Sequence, residues 1–379
     1  MSAFRCRRAA RLRVAAHRCC SAPARPTVEI GGVSDAVRSP SSPWLVPSGY
    51  AGGGLVKRQG TLAQLRWMLQ KSSLSQDMFL IGPPGPERRW LAMAFCELTG
   101  REVEFVALSR DTTETDLKQR REIVERSAIF EDQPPVRAAL EGRVLVLDGI
   151  EKAERNVLPV LNNLLENREM ALEDGRFIVS PERWAALLQE GATHEELVAK
   201  QLVRAHEDFR VIALGVPVPP YEGRLLDPPL RSRFQALHVP SLGAGDLLDL
   251  LADVAPNLEA AAAQQLAAAA EALHAVEADP SLLGLGEGAG SSSSSDAIRH
   301  FPASGLPHIA RVAQAFPHQT LASLMDRLFP FRGSLGDARA AEAVNTALGG
   351  GRQAERAVLR RVRATSCSTS RRARRRRSA

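Results

Sequence analysis

Residues 77–85 read Asp-Met-Phe-Leu-Ile-Gly-Pro-Pro-Gly, a short apolar run that leads directly into a loop with two glycines. The run is unbroken and bounded by turn residues, which is typical of a strand buried within a parallel sheet. Residues 90–98 continue with a helical apolar pattern, and Gly100 stands where a helix commonly ends. The stretch therefore predicts a strand, a glycine loop and a helix in direct succession.

Such a unit can bind phosphate, because glycines let backbone N–H groups converge and the helix N-terminus adds a positive dipole end. The full signature is G-x-x-x-x-G-K-[ST]. When this signature is aligned on Gly82, Glu87 stands at the position of the second glycine, Arg88 at that of the lysine and Arg89 at that of the Ser/Thr. Arg88 still supplies a positive charge, but Arg89 cannot ligate Mg²⁺, and Glu87 brings a carboxylate to where phosphate would lie. A purely structural turn is the alternative to a nucleotide-binding loop made of Gly82, Pro83, Pro84, Gly85 and Arg88.

A second apolar strand ends in an acid. Residues 144–147 read Val-Leu-Val-Leu and lead into Asp148, sixty-six residues after Gly82. A carboxylate at this point of a P-loop protein holds the Mg²⁺ shell. The next position, which normally carries the glutamate that polarises the attacking water, is Gly149, and Glu151 can replace it only if the turn redirects the chain. Asp148 is thus the predicted metal ligand and Glu151 a candidate catalytic residue.

Strands and helices alternate along most of the chain. Further apolar strands are predicted near residues 102–108 and 209–214, a hairpin at the Asp-Gly pair in 173–176, and helix over 181–204. This alternation predicts an α/β fold, a parallel sheet with helices on both faces, followed by a smaller helical domain. The predicted divisions are a mitochondrial presequence and disordered lead at 1–40, the core at 45–240, the helical domain at 241–335 with a Gly/Ser linker at 284–295, and an Arg-rich disordered tail at 336–379.

The net charge of +6 is unevenly distributed. Residues 1–28 contain seven arginines and no acid, and residues 352–379 contain eleven arginines and one glutamate. These ends together carry +17, so residues 29–351 carry −11. An acidic body does not favour a nucleic-acid partner, although the Arg-rich tail leaves nucleic-acid binding open as a separate hypothesis.

The N-terminus is rich in Arg, Ala and Ser and lacks a long apolar run, as in a mitochondrial transit peptide. We therefore expect a mitochondrial protein, with a disordered basic start as the alternative. No apolar stretch reaches the roughly 18 residues of a membrane-spanning helix. The five cysteines show no metal-binding spacing, and neither HExxH nor G-x-S-x-G occurs.

The combined motifs resemble the AAA+ ATPases of the MoxR and midasin (dynein-related) branch. The similar stretches, in order, are residues 80–85, 144–148, 156–168, 209–213 and 226–234. Residues 107–122 are also similar to the first module of much longer, multi-module members of this branch. The resemblance implies a P-loop NTPase core over about 60–240, with the helical domain as its lid.

The resemblance also implies a function, which is binding of ATP and Mg²⁺, with hydrolysis coupled to remodelling by a ring of AAA+ modules or subunits. The protein substrate stays unidentified. Arg233 lies where the family has the arginine finger that reaches a neighbour's γ-phosphate, and a helix-end arginine paired with Asp227 is the alternative. Near Gly215, where the family has a sensor asparagine, no asparagine occurs. A degenerate module that does not hydrolyse ATP and donates Arg233 in trans is therefore the alternative function.

Overall fold

A computed structural model describes residues 12–15, 26–52, 56, 58–154, 156–219, 221, 223–278 and 305–328. The chain divides into two compact units, residues 1–241 and 242–379. The first unit holds every described strand, and the second is helical where it is described.

The first unit is built on a sheet of five parallel strands, which lie side by side in the order 235–238, 78–81, 210–215, 144–148 and 103–107. Most residues of the three central strands are buried, as expected for apolar runs covered on both faces. The parallel α/β architecture predicted from the sequence is confirmed. The strands are β4 (Met78–Ile81), β5 (Val103–Ala107), β8 (Val144–Asp148), β12 (Arg210–Gly215) and β13 (Gln235–His238).

Alternate side chains of these strands enter two different hydrophobic cores. Met78 and Leu80 pack in one core with the helices at 59–73 and 87–99, whereas Phe79 packs in the other with the helices at 134–141 and 160–166. Helices on both faces therefore bury the central strands of the sheet. These helices are α1 (Gln59–Ser73), α2 (Glu87–Thr99), α4 (Pro134–Glu141) and α5 (Val160–Glu166). Gly100 ends α2 in the left-handed conformation, with φ of 65°, as its position predicted.

Residues 12–15 and 27–36 contribute an antiparallel sheet of β1 (Leu12–Ala15), β2 (Thr27–Ile30) and β3 (Val33–Ala36). Val28 and Ile30 are each 1% exposed and belong to the core that contains α1 and α2. This part of the chain was expected to be disordered, and for residues 27–36 that expectation is wrong. The composition of the lead is basic, but the alternation of Val28 and Ile30 with polar residues places one face of β2 in the core.

Several shorter elements extend from the sheet. The α3 helix (Glu114–Leu117) begins with a capping box formed by Thr113 and Asp116, and it leads into an antiparallel hairpin of β6 (Gln119–Val124) and β7 (Ser127–Asp132). The Asp-Gly turn at 173–176 joins β9 (Met170–Ala171) to β10 (Phe177–Val179), as predicted. Beyond it lie α6 (Pro181–Gln189), α7 (His194–Ala199), β11 (Leu202–Arg204) and α8 (Pro228–Ser232).

The second unit contains α9 (Ala244–Val254), α10 (Ala260–Ala278) and two further helices, Leu306–Ala315 and Leu321–Leu328. Leu247, Leu251, Leu266 and Ile309 are among the side chains of its own core. The predicted Gly/Ser linker and the Arg-rich tail lie outside the described residues. Among the helices that are described, none has the length and apolar character needed to cross a membrane.

Candidate functional site

The glycine loop lies where the order of the strands reverses. β4 is flanked by β12 and β13, while the strand that follows it in sequence, β5, lies at the far edge of the sheet. Open α/β sheets bind ligands in the crevice that such a reversal leaves at the carboxyl ends of the strands. Residues 82–86 occupy this position, between β4 and α2.

Gly82 is packed too closely for any side chain. Its N–H donates to the carbonyl oxygen of Gly215 at 3.2 Å, which ties the loop to the end of β12. A Cβ at this position would collide with the carbonyl oxygen of Val239. Gly82 therefore sets the path of the loop between the two neighbouring strands.

The loop itself has few backbone donors for a phosphate. Pro83, Pro84 and Pro86 have no N–H, and the N–H of Gly82 is already used. The first turn of α2 adds donors, because the N–H groups that begin a helix have no partner within it. Phosphate affinity at this site must therefore come largely from α2 and from cationic side chains.

Arg88 supplies one such cation. It is only 9% exposed, and its buried Nε has no hydrogen-bond partner among the described residues. Burial lowers the pKa of the guanidinium, while the carboxylates of Glu151, Asp148 and Glu87 act in the opposite direction. The side chain thus lies among the acidic groups of the crevice, as a phosphate-binding residue would.

Glu87, at the position of the second signature glycine, is turned back toward the loop. A Cβ on Gly85 would collide with Oε2 of Glu87, so the carboxylate lies directly against the loop backbone. Glu87 is also the first residue of α2, where a negative charge is stabilised by the helix dipole. An anion of the protein itself therefore lies beside the phosphate-binding elements.

Asp148, the predicted metal ligand, is paired with Arg89. Nε of Arg89 donates to Oδ2 of Asp148 at 3.1 Å, and Nη2 contacts the same oxygen. The Arg89 guanidinium also lies over the ring of Phe105, 5.1 Å from its centroid. The donor set does not fit Mg²⁺, because the residue that would offer a hydroxyl ligand is instead a cation bound to the carboxylate. Within the described residues, no group of three or more His, Cys, Asp or Glu side chains could hold a metal ion.

Glu151 is brought into the crevice by the turn after β8. Gly149 has φ of +79°, and its N–H donates to the carbonyl oxygen of Leu214 at 3.0 Å, so the chain turns toward β12. Glu151 is 4% exposed, and its Oε2 accepts from the N–H of Val216 at 3.4 Å. Burial raises the pKa of the carboxyl group, and Arg88 opposes that shift. Glu151 thus lies at the carboxyl end of the sheet without following Asp148 directly.

Arg233 lies at the other end of the sheet, just before β13 begins. Its guanidinium contacts the carboxylate of Glu166 and the carbonyl oxygen of Pro229, and its Nε has no partner among the described residues. It lines a cleft of about 1000 Å³ that also includes Asp77, Arg168 and Arg210. Asp77 is held there by Arg168 at 2.8 and 3.0 Å.

The structure therefore brings Asp148, Glu151 and Arg88 together and places Arg233 apart from them.

Arg89 is the residue whose role was missed. The sequence showed that it cannot ligate Mg²⁺, but not that it pairs with a carboxylate 59 positions away. The available signal was a positive charge at the Ser/Thr position, opposite an acid that ends another strand. Phe105, on the edge strand β5, gave no signal.

Comparison with known proteins gives a family match. The family described as "AAA domain (dynein-related subfamily)" matches residues 77–234. The von Willebrand factor A domain-containing protein 8 of Mus musculus is 52% identical over 310 residues, which is 82% of this chain and 15% of that protein. Midasin of Dictyostelium discoideum is 31% identical over 122 residues, 32% of this chain and 2% of that protein. The chain thus spans only a small part of these relatives.

Among solved structures, a RuvB variant from Thermotoga maritima aligns with a TM-score of 0.43 and 14% identity, covering 83% of this chain and 86% of that one. The family match runs from just before β4 to just before β13, and it agrees with the resemblance found in the sequence.

Proposed function

We propose, since residues 77–234 are an AAA domain of the dynein-related subfamily, that this module binds ATP in the crevice at the carboxyl ends of β4 and β12. The observation that carries the proposal is the buried Arg88 side chain, which lies among the acids of this crevice and whose Nε has no partner among the described residues. A buried cation of this kind is stabilised by an anionic ligand. The loop from Gly82 to Gly85 and the first turn of α2 would receive the phosphates.

The geometry favours binding without hydrolysis over the hydrolysing function. Asp148 is paired with Arg89, the position after it is a glycine, and Glu151 lies against Val216. The residues that would activate a water molecule are thus replaced or turned to other partners. The module would then act as a nucleotide-binding member of an assembly whose other members hydrolyse ATP.

Arg233 supports a role in such an assembly. It precedes β13 at the amino end of the sheet, whereas the glycine loop follows β4 at the carboxyl end, so Arg233 cannot serve its own crevice. An arginine finger acts on the nucleotide of a neighbour and is worth about 10³–10⁵ in rate. The partners we propose are other AAA modules or subunits, and remodelling of a protein substrate is the activity they would share.

The test measures ATP binding and phosphate release on the full chain. We expect saturable ATP binding by calorimetry and no phosphate release above the background, both in the unmodified chain and in Asp148→Asn. Asp249→Asn, an exposed acid in α9, is the matched control. Failure to bind ATP at millimolar concentration would overturn the proposal, and steady turnover that is lost in Asp148→Asn would show that the module is a hydrolase.

We also propose a mitochondrial location, which the composition of residues 1–28 supports. Because Val28 and Ile30 are buried in the core, we expect any processing to fall before Thr27. A fusion of residues 1–40 to a fluorescent reporter tests the mitochondrial location, and N-terminal sequencing of the imported protein identifies the cleavage site. A cytosolic reporter would refute the proposal.

A further inference from the structure

Arg89 is held on two sides in the position where a P-loop protein binds its metal ion. From one side, Oδ2 of Asp148 accepts from Nε at 3.1 Å and contacts Nη2. From the other, the ring of Phe105 lies 5.1 Å from the guanidinium carbon, a distance at which a cation is attracted to an aromatic face. The charge is therefore fixed in place before any ligand arrives.

In the part of the chain that the structure describes, the Arg89 guanidinium retains a donor without a protein partner. Within the described residues, Nη1 of Arg89 donates no hydrogen bond and Oδ1 of Asp148 accepts none. The Arg89 side chain is 56% exposed, so a ligand can reach it. Arg88, one residue earlier on the same helical turn, is buried with an unpaired Nε. The first turn of α2 thus carries two arginines: Arg89 offers an accessible donor, and Arg88 adds a second, buried positive charge.

The positive charges of Arg88 and Arg89 suit a polyphosphate that carries no metal ion. A bound Mg²⁺ ion would have to share the Asp148 carboxylate with the Arg89 guanidinium. Two cations that contact the same carboxylate are close enough to repel each other. A guanidinium, by contrast, binds phosphate oxygens directly through its fork of N–H donors. The loop offers few backbone donors of its own because of its prolines, so the two side chains matter more than in an ordinary glycine loop.

We infer that Arg89 takes the place of Mg²⁺ in this module, so that the crevice binds the phosphates of ATP without a metal ion. This inference rests on the proposed function, and it concerns the cation that accompanies the nucleotide in the same crevice. The opposing possibility is that the Arg89–Asp148 pair opens when a magnesium nucleotide binds. The two differ in how affinity responds to Mg²⁺.

The experiment titrates ATP into the full chain in EDTA and again in excess Mg²⁺, by calorimetry. We expect the two dissociation constants to agree within about threefold. Tightening by Mg²⁺ of about tenfold or more would overturn the inference and leave the proposed function intact. No binding in either buffer would overturn both.

Arg89→Thr provides the sharper contrast, because it supplies a hydroxyl ligand and releases the Asp148 carboxylate. In this variant we expect weaker binding in EDTA and a gain of about tenfold or more on adding Mg²⁺. Mn²⁺ paramagnetic resonance with ATP should show a protein-bound ion in Arg89→Thr and not in the unmodified chain. Arg66→Thr, which alters an exposed arginine of α1 in the same way, should behave as the unmodified chain. Bound Mn²⁺ in the unmodified chain would contradict the inference even if Arg89→Thr fails to fold.

Discussion

The carboxylate of Glu87 lies against Gly85, so the first residue of α2 covers part of the loop that precedes it. The backbone N–H groups of the first turn of α2 and the Glu87 carboxylate have opposite effects on an anionic ligand. The N–H groups of the first turn attract phosphate, whereas the Glu87 carboxylate repels it and occupies space beside the loop. The same carboxylate stabilises α2 by its position at the positive end of the helix dipole.

We therefore predict that Glu87→Gln binds ATP more tightly while the fold becomes slightly less stable. Removing one negative charge beside the phosphates should raise affinity by about tenfold, after allowance for screening by solvent. Loss of the favourable dipole interaction should lower the free energy of unfolding by up to about 1 kcal/mol. Calorimetry and urea denaturation measure the two effects.

Glu182→Gln is the matched control, since Glu182 lies in the first turn of α6, away from the loop. It should lose a similar amount of stability with no change in ATP affinity. If Glu87→Gln bound ATP no better than this control, the Glu87 carboxylate would not compete with phosphate.

A second prediction concerns Arg88. Replacing it by alanine removes a buried, charge-assisted donor, which should weaken ATP binding by about tenfold to a hundredfold. Arg88→Lys keeps the charge but lacks the planar set of N–H donors, so its ATP affinity should lie between those of Arg88→Ala and the unmodified chain. Arg66→Ala on the surface of α1 should bind as the unmodified chain does. Equal ATP affinities of Arg88→Ala and Arg66→Ala would show that Arg88 does not contribute to nucleotide binding.

Much of the fold could be predicted because the central strands are uniformly apolar. β4, β8 and β12 are short hydrophobic runs, and the glycines after α2 and α4 mark where those helices end. The β6–β7 hairpin was missed because the charged run 120–122 interrupts β6 and because β7 is largely exposed, so no buried apolar face marks the pair.

The site was predictable residue by residue but not as an arrangement. Gly82, Arg88 and Asp148 could be placed because each follows or begins a recognisable element. The contact of Arg89 with Asp148 depends on the order of strands in the sheet, since β8 comes beside β5 only through long-range pairing. Local sequence patterns contain no information on that order.

A third prediction tests how tightly the loop is packed. Gly82→Ala should destabilise the protein by about 1–3 kcal/mol, because its Cβ meets a backbone carbonyl oxygen at Val239 that cannot rotate away. Gly60→Ala, in α1 with open space around it, should instead stabilise the protein by up to about 1 kcal/mol. Urea denaturation of both variants measures the difference. Equal stability of Gly82→Ala and the unmodified chain would mean that β13 can move away from the loop.

The fourth prediction follows from the buried carboxyl group of Glu151, whose pKa is raised above the ordinary 4.5 by burial. A folded-state pKa above the unfolded value means that the folded protein binds more protons between the two values. The contribution of Glu151 to stability is therefore fully present below pH 4.5 and is lost as the pH rises through the folded-state pKa. Above that point the ionised, buried carboxylate costs free energy that Arg88 only partly offsets.

Glu151→Gln mimics the protonated form at every pH, and it keeps an oxygen to accept from the N–H of Val216. We expect the variant and the unmodified chain to be equally stable near pH 4.5, with the variant becoming more stable as the pH increases. Urea denaturation at about pH 5 and about pH 8 measures the trend, with the exposed Glu190→Gln as control. A difference that shrank with rising pH would mean that the attraction of Arg88 outweighs burial, and that Glu151 is held in the crevice as an anion. In that case the Arg88–Glu151 pair, rather than a free Arg88, would face the nucleotide.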